Sequence, residues 1–283
     1  AFQRLVQEQG IAGDEIDGLG VASFTLRPDR CVDLAWKLGL KLTWSMDDSN
    51  GGVSGLNLLH HAVAAIRAGQ ARHIVLLAGD AFHASDFADL QANYNVTTRE
   101  LMYPLGIANP NSLFALLTQR HMASHRLDRR DYGELVLAQR RHAARNPQAV
   151  YREELTMADY LGAVKVADPL VLFDCVPVVA GANAILLSDA SCVRDRAGSV
   201  AVKAVGVAHN FDQQEGDGLA TGLRHLAPRL YAEAGWSARD VDLACVYDDY
   251  PVMSVVQLDD LGLIGDRGPA DFPREMLPTG AFA

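Results

Sequence analysis

Two hydrophobic rhythms alternate along the chain. Short uninterrupted apolar runs, "IVLLAG" (74–79), "NAILLSD" (183–189), "VAVKAVGVA" (200–208) and "VDLACVY" (241–247), are rich in Val and Leu and predict buried strands. Between them, apolar residues recur every third or fourth position in 55–69, 111–126, 132–146, 223–235 and 252–263, which predicts helices. This alternation points to α/β architecture, with helices covering sheets. Residues 80–175 carry few strand signals and many loop signals, so they read as a helical insertion between two α/β halves.

The pattern also repeats at long range. "RLVQEQGIAGDEIDGLGV" (4–21) aligns with "RLYAEAGWSARDVDLACV" (229–246) at a constant offset. Arg4, Leu5, Glu8, Gly10, Asp17 and Val21 match Arg229, Leu230, Glu233, Gly235, Asp242 and Val246, and Ile16 answers Val241. Each copy reads as an amphipathic helix, a glycine stop, a polar loop and a strand. A helix ending in "LGL" follows in both (38–40 and 261–263). Two copies of one unit imply a duplicated fold with a pseudo-twofold axis. The first copy runs on through "KLTWS" into a glycine loop and the helix 55–69. The matching strand, loop and helix of the second copy are expected after "MLPTGAFA". The missing initiator Met gives the same expectation at the start: both termini incomplete.

Charge and cysteines narrow the function. The 283 residues carry a formal net charge of −10. The one basic cluster, "QRRHAARNP" (139–147), is a solvated helix face or a seat for a phosphorylated ligand, not a nucleic-acid surface. Apolar segments are interrupted by charge, Gly or Pro well short of the roughly 18 residues of a membrane span, and the N-terminus is no signal peptide. Cys31, Cys175, Cys192 and Cys245 are scattered. That argues against zinc and against a disulfide framework, and suits a reducing cytoplasm.

The chemistry centres on "DDSNGGVSGLNLL" (47–59), a strand–glycine loop–helix junction of the kind that points backbone N–H groups at a reacting group or an anion. It contains no Cys, Lys or His.

With "NGGVSG" (50–55), "FALLTQRHM" (114–122), "ARNPQAV" (144–150), "ADPLVLFDCVPVVAGANAILLSDA" (167–190) and "VYDDYPVM" (246–253), the chain resembles the thiolase superfamily over nearly its whole length. The resemblance is to the thiolase-like branch once labelled lipid-transfer proteins, and above all to bacterial aldolases of steroid side-chain degradation. It implies a thiolase fold of duplicated α/β/α/β/α layers with a helical loop domain. On that pattern residues 1–80 are part of the N-terminal half and 81–175 the loop region. Residues 176–283 then hold the rest of the N-terminal half and the start of the C-terminal half.

Three departures shape the expected reaction. Gly52 stands where a thiolase carries its nucleophilic Cys, so no acyl-enzyme forms there. Ala180 stands where relatives often have Asp. Tyr247 stands where many relatives have His. The resemblance therefore implies retro-aldol cleavage of a bulky, steroid-like β-hydroxyacyl-CoA, with no bound cofactor and no metal. Tyr247 is the expected base, Asp248 its orienting neighbour, and Gly51, Gly52 and Tyr250 line the substrate or oxyanion site. Asp249 reads as a solvent-facing residue or helix N-cap, and His60 and His61 as packing residues. Arg141 and His142 are candidates for the CoA phosphates. Further acid–base groups in the family come from a C-terminal Asn-x-x-Gly-Gly-like segment that would begin after Ala283. The implied partners are a second copy, meeting through helix 55–69 and strand 74–79, and a small OB-fold protein, sometimes with a zinc ribbon. A degradative thiolase and a silent acyl-CoA-binding scaffold subunit are the other readings.

Overall fold

A computed structural model describes residues 1–93, 95–107, 109–193, 198–213, 215–265 and 268–276. In chain order the first elements are α1 (Phe2–Gln9), β1 (Gly18–Ala22), α2 (Arg30–Leu38), β2 (Trp44–Asp48), α3 (Ser54–Arg67), β3 (His73–Asp80) and α4 (Ala84–Ala92). Then come α5 (Pro110–His125), α6 (Arg129–Arg145), α7 (Met157–Gly162), β4 (Lys165–Ala167), β5 (Leu170–Val171) and β6 (Gly181–Ser188). The last are α8 (Leu223–Ala234), α9 (Pro251–Asp260) and α10 (Phe272–Glu275). They form two compact units, Ala1–Phe87 with Val178–Val207, and Ala88–Pro177 with Ala208–Ala283.

The first unit is built on a sheet ordered β2-β1-β3-β6, parallel except for β6. All five residues of β1 are buried, as a strand covered on both faces requires. On one face Ala22, Ile74 and Leu76 meet Leu58, Ala62 and Ala65 of α3. On the other, Leu19, Val21 and Val75 meet Cys31 of α2 and the half-buried Phe2 and Leu5 of α1. Gly20 permits the first contact, because a Cβ there would lie 2.7 Å from Leu76 Cδ2 and 3.3 Å from Leu58 Cδ2. Asp17 ties the strand starts together, its carboxylate accepting the Arg72 and His73 amides at 2.9 and 2.8 Å.

Helix packing dominates the second unit. α9 is buried on nearly every side, at Pro251, Val252, the run 254–258 and Asp260, which marks a core helix. Ala115 of α5, Tyr132, Leu135 and Ala138 of α6, and Leu170 of β5 pack around it. Polar pairs thread this core. The Tyr160 hydroxyl donates to Asp174 at 2.7 Å, His121 Nδ1 meets the Tyr132 hydroxyl at 2.7 Å, and Arg224 donates to buried Asp260 at 2.8 Å.

The repeat is visible as local structure. α1 stops at Gly10 (φ 59°) and α8 at Gly235 (φ 72°), both left-handed. A single 3-10 turn follows in each, Gly13–Glu15 and Ala238–Asp240. Its last carboxylate accepts the amide in front of the turn, Ala12 N at 2.9 Å and Ser237 N at 2.7 Å.

Two of the expected strands need correction. Residues 200–208 and 241–247 lie in no strand ladder among the described residues. Val200 is 95% exposed and Leu243 82%. An apolar run becomes a strand only when neighbours take up its N–H and C=O groups, and neither run has such neighbours here. The stretch 80–175 also holds the short antiparallel pair β4 and β5. They are too short for a periodicity to show. The run 74–79 forms β3, which sits between β1 and β6, and the sheet edges are β2 and β6. From "MLPTGAFA", residues 277–283 lie outside the described residues.

Candidate active site

Parallel pairing places the C-terminal ends of β1, β2 and β3 on one sheet edge, where open α/β sheets bind ligands. Each end is organised by an acidic residue. Buried Asp48 accepts the Asn50 amide at 2.9 Å, the Asn50 side chain at 3.3 Å and the Asn57 side chain. Burial opposes its charge, but Ser54, Asn50 and Asn57 outweigh burial and hold its carboxyl below the ordinary range. Asp80 gathers the loop after β1 in the same way, accepting from Ser23 Oγ, the Phe24 and Thr25 amides (each 2.8 Å) and Thr25 Oγ1 (2.9 Å).

The glycine loop is strung on the Asp48 hub. Gly51 is left-handed (φ 72°), and the 3-10 turn Gly51–Val53 leads straight into α3. Gly51 is half-buried and Gly52 exposed. The loop thus keeps its shape through a carboxylate that precedes it, with no side chain at either glycine. His60 is half-buried and His61 exposed.

Tyr247, Asp248 and Tyr250 belong to the second unit. At the offset of the repeat Tyr247 falls on the position of Ala22, the last residue of β1. Its backbone is held without a strand. Buried Gln257, on α9, accepts the Tyr247 amide at 3.1 Å through Oε1 and donates to the Tyr247 carbonyl at 2.7 Å through Nε2. A second Nε2 bond, to Met253 O at 2.8 Å, fixes the amide group itself. Tyr247 is 42% exposed and lies near enough to act on the Asp249 carboxyl.

Asp249 differs from its sequence reading. It is half-buried, and the N-cap of α9 is Tyr250, which makes no side-chain capping bond. Burial pushes the Asp249 carboxyl up and Asp248 adds to the rise, while Tyr247 pulls the other way. Asp248 is exposed and accepts from Gln139 Nε2 at 3.4 Å. Tyr250 is buried, stacked on Phe114 with ring centroids 4.2 Å apart, and its hydroxyl donates to Asn111 Oδ1 at 2.6 Å. Burial, with help from Asp249, Cys175 and Tyr247, raises its pKa. The burial of Asp249 had no sequence signal, because burial of a turn residue depends on distant packing.

Cys175 and Cys31 are poorly poised for attack, which needs thiolate. Cys175 is pushed up to about 11, by burial first and then by Asp174 and Asp249. Buried Cys31 is pushed up to about 12. All four cysteines are free. Of the phosphate candidates, His142 is exposed, whereas Arg141 donates through Nη2 to Met276 O at 2.7 Å and so braces α6 against α10. Among the described residues no cluster of three or more His, Cys, Asp or Glu is placed to hold a metal ion. No helix among them is long and apolar enough to cross a membrane.

Known proteins resemble the chain over most of its length. The thiolase C-terminal domain-like family matches residues 204–280. The chain is 29% identical to the 17-hydroxy-3-oxo-4-pregnene-20-carboxyl-CoA lyase of Mycobacterium tuberculosis, over 94% of this chain and 72% of that protein. Its fold is thiolase-like. Its fold is also that of the solved Ltp2-ChsH2(DUF35) aldolase, with a TM-score of 0.77 at 21% identity over 95% of this chain and 72% of that one. An acetyl-CoA acetyltransferase of Methanothermobacter thermautotrophicus is 24% identical, again over 94% of this chain and 72% of that protein. The names of these relatives carry two chemistries, that of a lyase and that of an acetyltransferase.

Proposed function

We propose that this thiolase-like chain is an aldolase, cleaving a bulky, steroid-like β-hydroxyacyl-CoA by a retro-aldol reaction. One observation carries the choice: glycine at position 52, where acyl transfer needs cysteine, beside an intact, Asp48-organised loop. A retro-aldol step needs no covalent intermediate. It needs a base for the β-hydroxyl proton and hydrogen-bond donors for the thioester enolate. Tyr247 is the base, at the position that matches the end of β1 in the first copy. Gly51 and Gly52 are the candidate backbone donors for an oxyanion, Asp248 orients Tyr247, and Tyr250 is a further substrate-site candidate. The CoA thioester is the substrate, and no cofactor takes part. His142, with the remaining donors of Arg141, receives CoA phosphates.

The lyase and aldolase similarities support this reading. The same solved aldolase contains a DUF35 partner, which supports an OB-fold partner here. A homodimer, a zinc ribbon on the partner and a cytoplasmic setting complete the proposal.

The test is Tyr247→Phe in the full-length, partner-bound protein. Affinity for the acyl-CoA should hold while kcat falls by about 10²–10⁴-fold, the span for a lost acid–base group. Near-normal turnover would remove Tyr247 from the chemistry. The acetyltransferase similarity favours a second reading, thiolysis through a cysteine. Single Cys→Ser variants decide it: loss of turnover in one of them, with acyl-CoA binding kept, transfers the assignment to thiolase.

A further inference from the structure

We propose that Asp48 is the positioning residue of the oxyanion site, aiming the Gly51 and Gly52 amides by pinning their loop on both sides. The inference rests on the retro-aldol reading above and adds a residue to it. Two successive glycines leave their amides uncovered, but they also give the backbone its greatest freedom. Donors assist an enolate when they are fixed before it forms. With no side chain at 51 or 52, the hold on these amides must come from elsewhere.

Asp48 is placed to supply it. It ends β2, paired with Ala22 on the last rung of the ladder to β1, and is 5% exposed. Ahead of the glycines, its carboxylate accepts the Asn50 amide at 2.9 Å and the Asn50 side chain at 3.3 Å. Beyond them, it accepts from the side chain of Asn57, in the first turn of α3. The next residue, Leu58, is fully buried in the cluster that holds Ile74 and Leu76 of β3, so this second anchor is tied to the core. Gly51 and Gly52 thus hang between two attachments to one carboxylate. Gly51 keeps its left-handed φ of 72°, and the Ser54 amide closes the turn on Gly51 O.

The charge sets up a contest. A carboxylate near a developing oxyanion opposes it through its field, whereas a carboxylate that fixes donors assists it. Three N–H groups take up the Asp48 carboxylate, so the hold on the loop outweighs the field. The sign of the Asp48→Asn effect therefore tests the role directly.

The experiment uses the full-length protein and propionyl-CoA as probe, in deuterium oxide. Exchange at Cα breaks the C–H bond, leaves an enolate and adds a deuteron from solvent. It reads the enolate site without any β-hydroxyl. Asp48→Asn should lower the exchange rate at saturation by about 10–10²-fold and leave propionyl-CoA affinity within about threefold. Asn57→Ala releases the second anchor alone and should cost about tenfold. The double variant Asp48→Asn/Asn57→Asp, which returns one carboxylate to the hub, should recover about tenfold of the Asp48→Asn loss. Asp17→Asn breaks a carboxylate hub at the opposite end of β1 and should leave exchange within about twofold. In a sample labelled with nitrogen-15 glycine, which needs no turnover, the Gly51 and Gly52 amides should shift in Asp48→Asn while Gly10 and Gly39 stay. Unmoved Gly51 and Gly52 amides, or an exchange rate that holds or rises in Asp48→Asn, overturn the positioning role. So do a full rate in Asn57→Ala, an equal loss in Asp17→Asn, or no recovery in the double variant. Absence of exchange in the wild type, with the amide shifts present, overturns the retro-aldol reading instead and leaves the hold of Asp48 on the loop standing.

Discussion

The two copies of the repeat share a helix, a left-handed glycine and a 3-10 turn, then diverge at the strand. In the first copy, β1 is buried throughout and paired on both sides. In the second, 241–247 has no ladder among the described residues, and the side chain of Gln257 bonds Tyr247 where a neighbouring strand would. Helix, stop and turn are set by residues within a few positions of one another, so similar sequence gives similar structure. A strand is set by its neighbours, so similar sequence does not suffice. The units differ accordingly: the first coheres through a sheet and apolar faces, the second through a buried helix and polar pairs.

Truncation at matched positions gives the largest contrast. Ile16→Ala, in the fully buried first copy, should cost about 2–5 kcal/mol in urea unfolding. Val241→Ala, at the matching half-buried position, should cost about 1 kcal/mol or less. Equal losses would mean that the second copy is as well packed as the first.

Acid should separate the units next. His121 is buried neutral, its pKa lowered to about 4 by burial first and then by His125. Its unfolded value is near 6.5. Between these values the unfolded chain binds a proton that the native chain refuses. Stability is therefore full above about pH 6.5 and falls as pH drops towards 4, by about 3 kcal/mol in total. Urea melts of wild type and His121→Gln at about pH 7 and about pH 4 should show this loss in the wild type and a flatter response in the variant. Equal slopes would exclude His121 as the cause.

The smallest effect should be the same in both copies. Gly10→Ala and Gly235→Ala each place a Cβ in open space, with nothing within 4 Å. Only the left-handed backbone is penalised, by about 1 kcal/mol in each case. A clear difference in thermal unfolding would show that the shared turns are not local after all.

The same division explains what could be read beforehand. α3, α5, α6, α8 and α9 were legible from spacing, and the thiolase-like fold from motifs. β3 and β6 were legible as apolar runs, but β3's interior place in the sheet was not, because neighbour order is non-local. The runs at 200–208 and 241–247 looked like strands for the same reason that β3 did. At the site, the roles of the glycine loop and Tyr247 rested on resemblance and stand as proposals. Asp48 as the hub of that loop, the half-burial of Asp249 and Gln257 as the clamp on Tyr247 emerged only from folding, since each rests on contacts that sequence order does not display.

Gln257 has one more consequence. Both hydrogens of its side-chain amide are occupied, one by Tyr247 O and the other by Met253 O. A carboxamide bound at both hydrogens in a buried place exchanges slowly with solvent and keeps its two protons magnetically distinct. In a nitrogen-15-labelled sample that pair is a built-in spectroscopic reporter, lying one hydrogen bond from the residue proposed to do the chemistry. Any ligand that shifts the Tyr247 backbone should move the pair, before turnover and without an added probe.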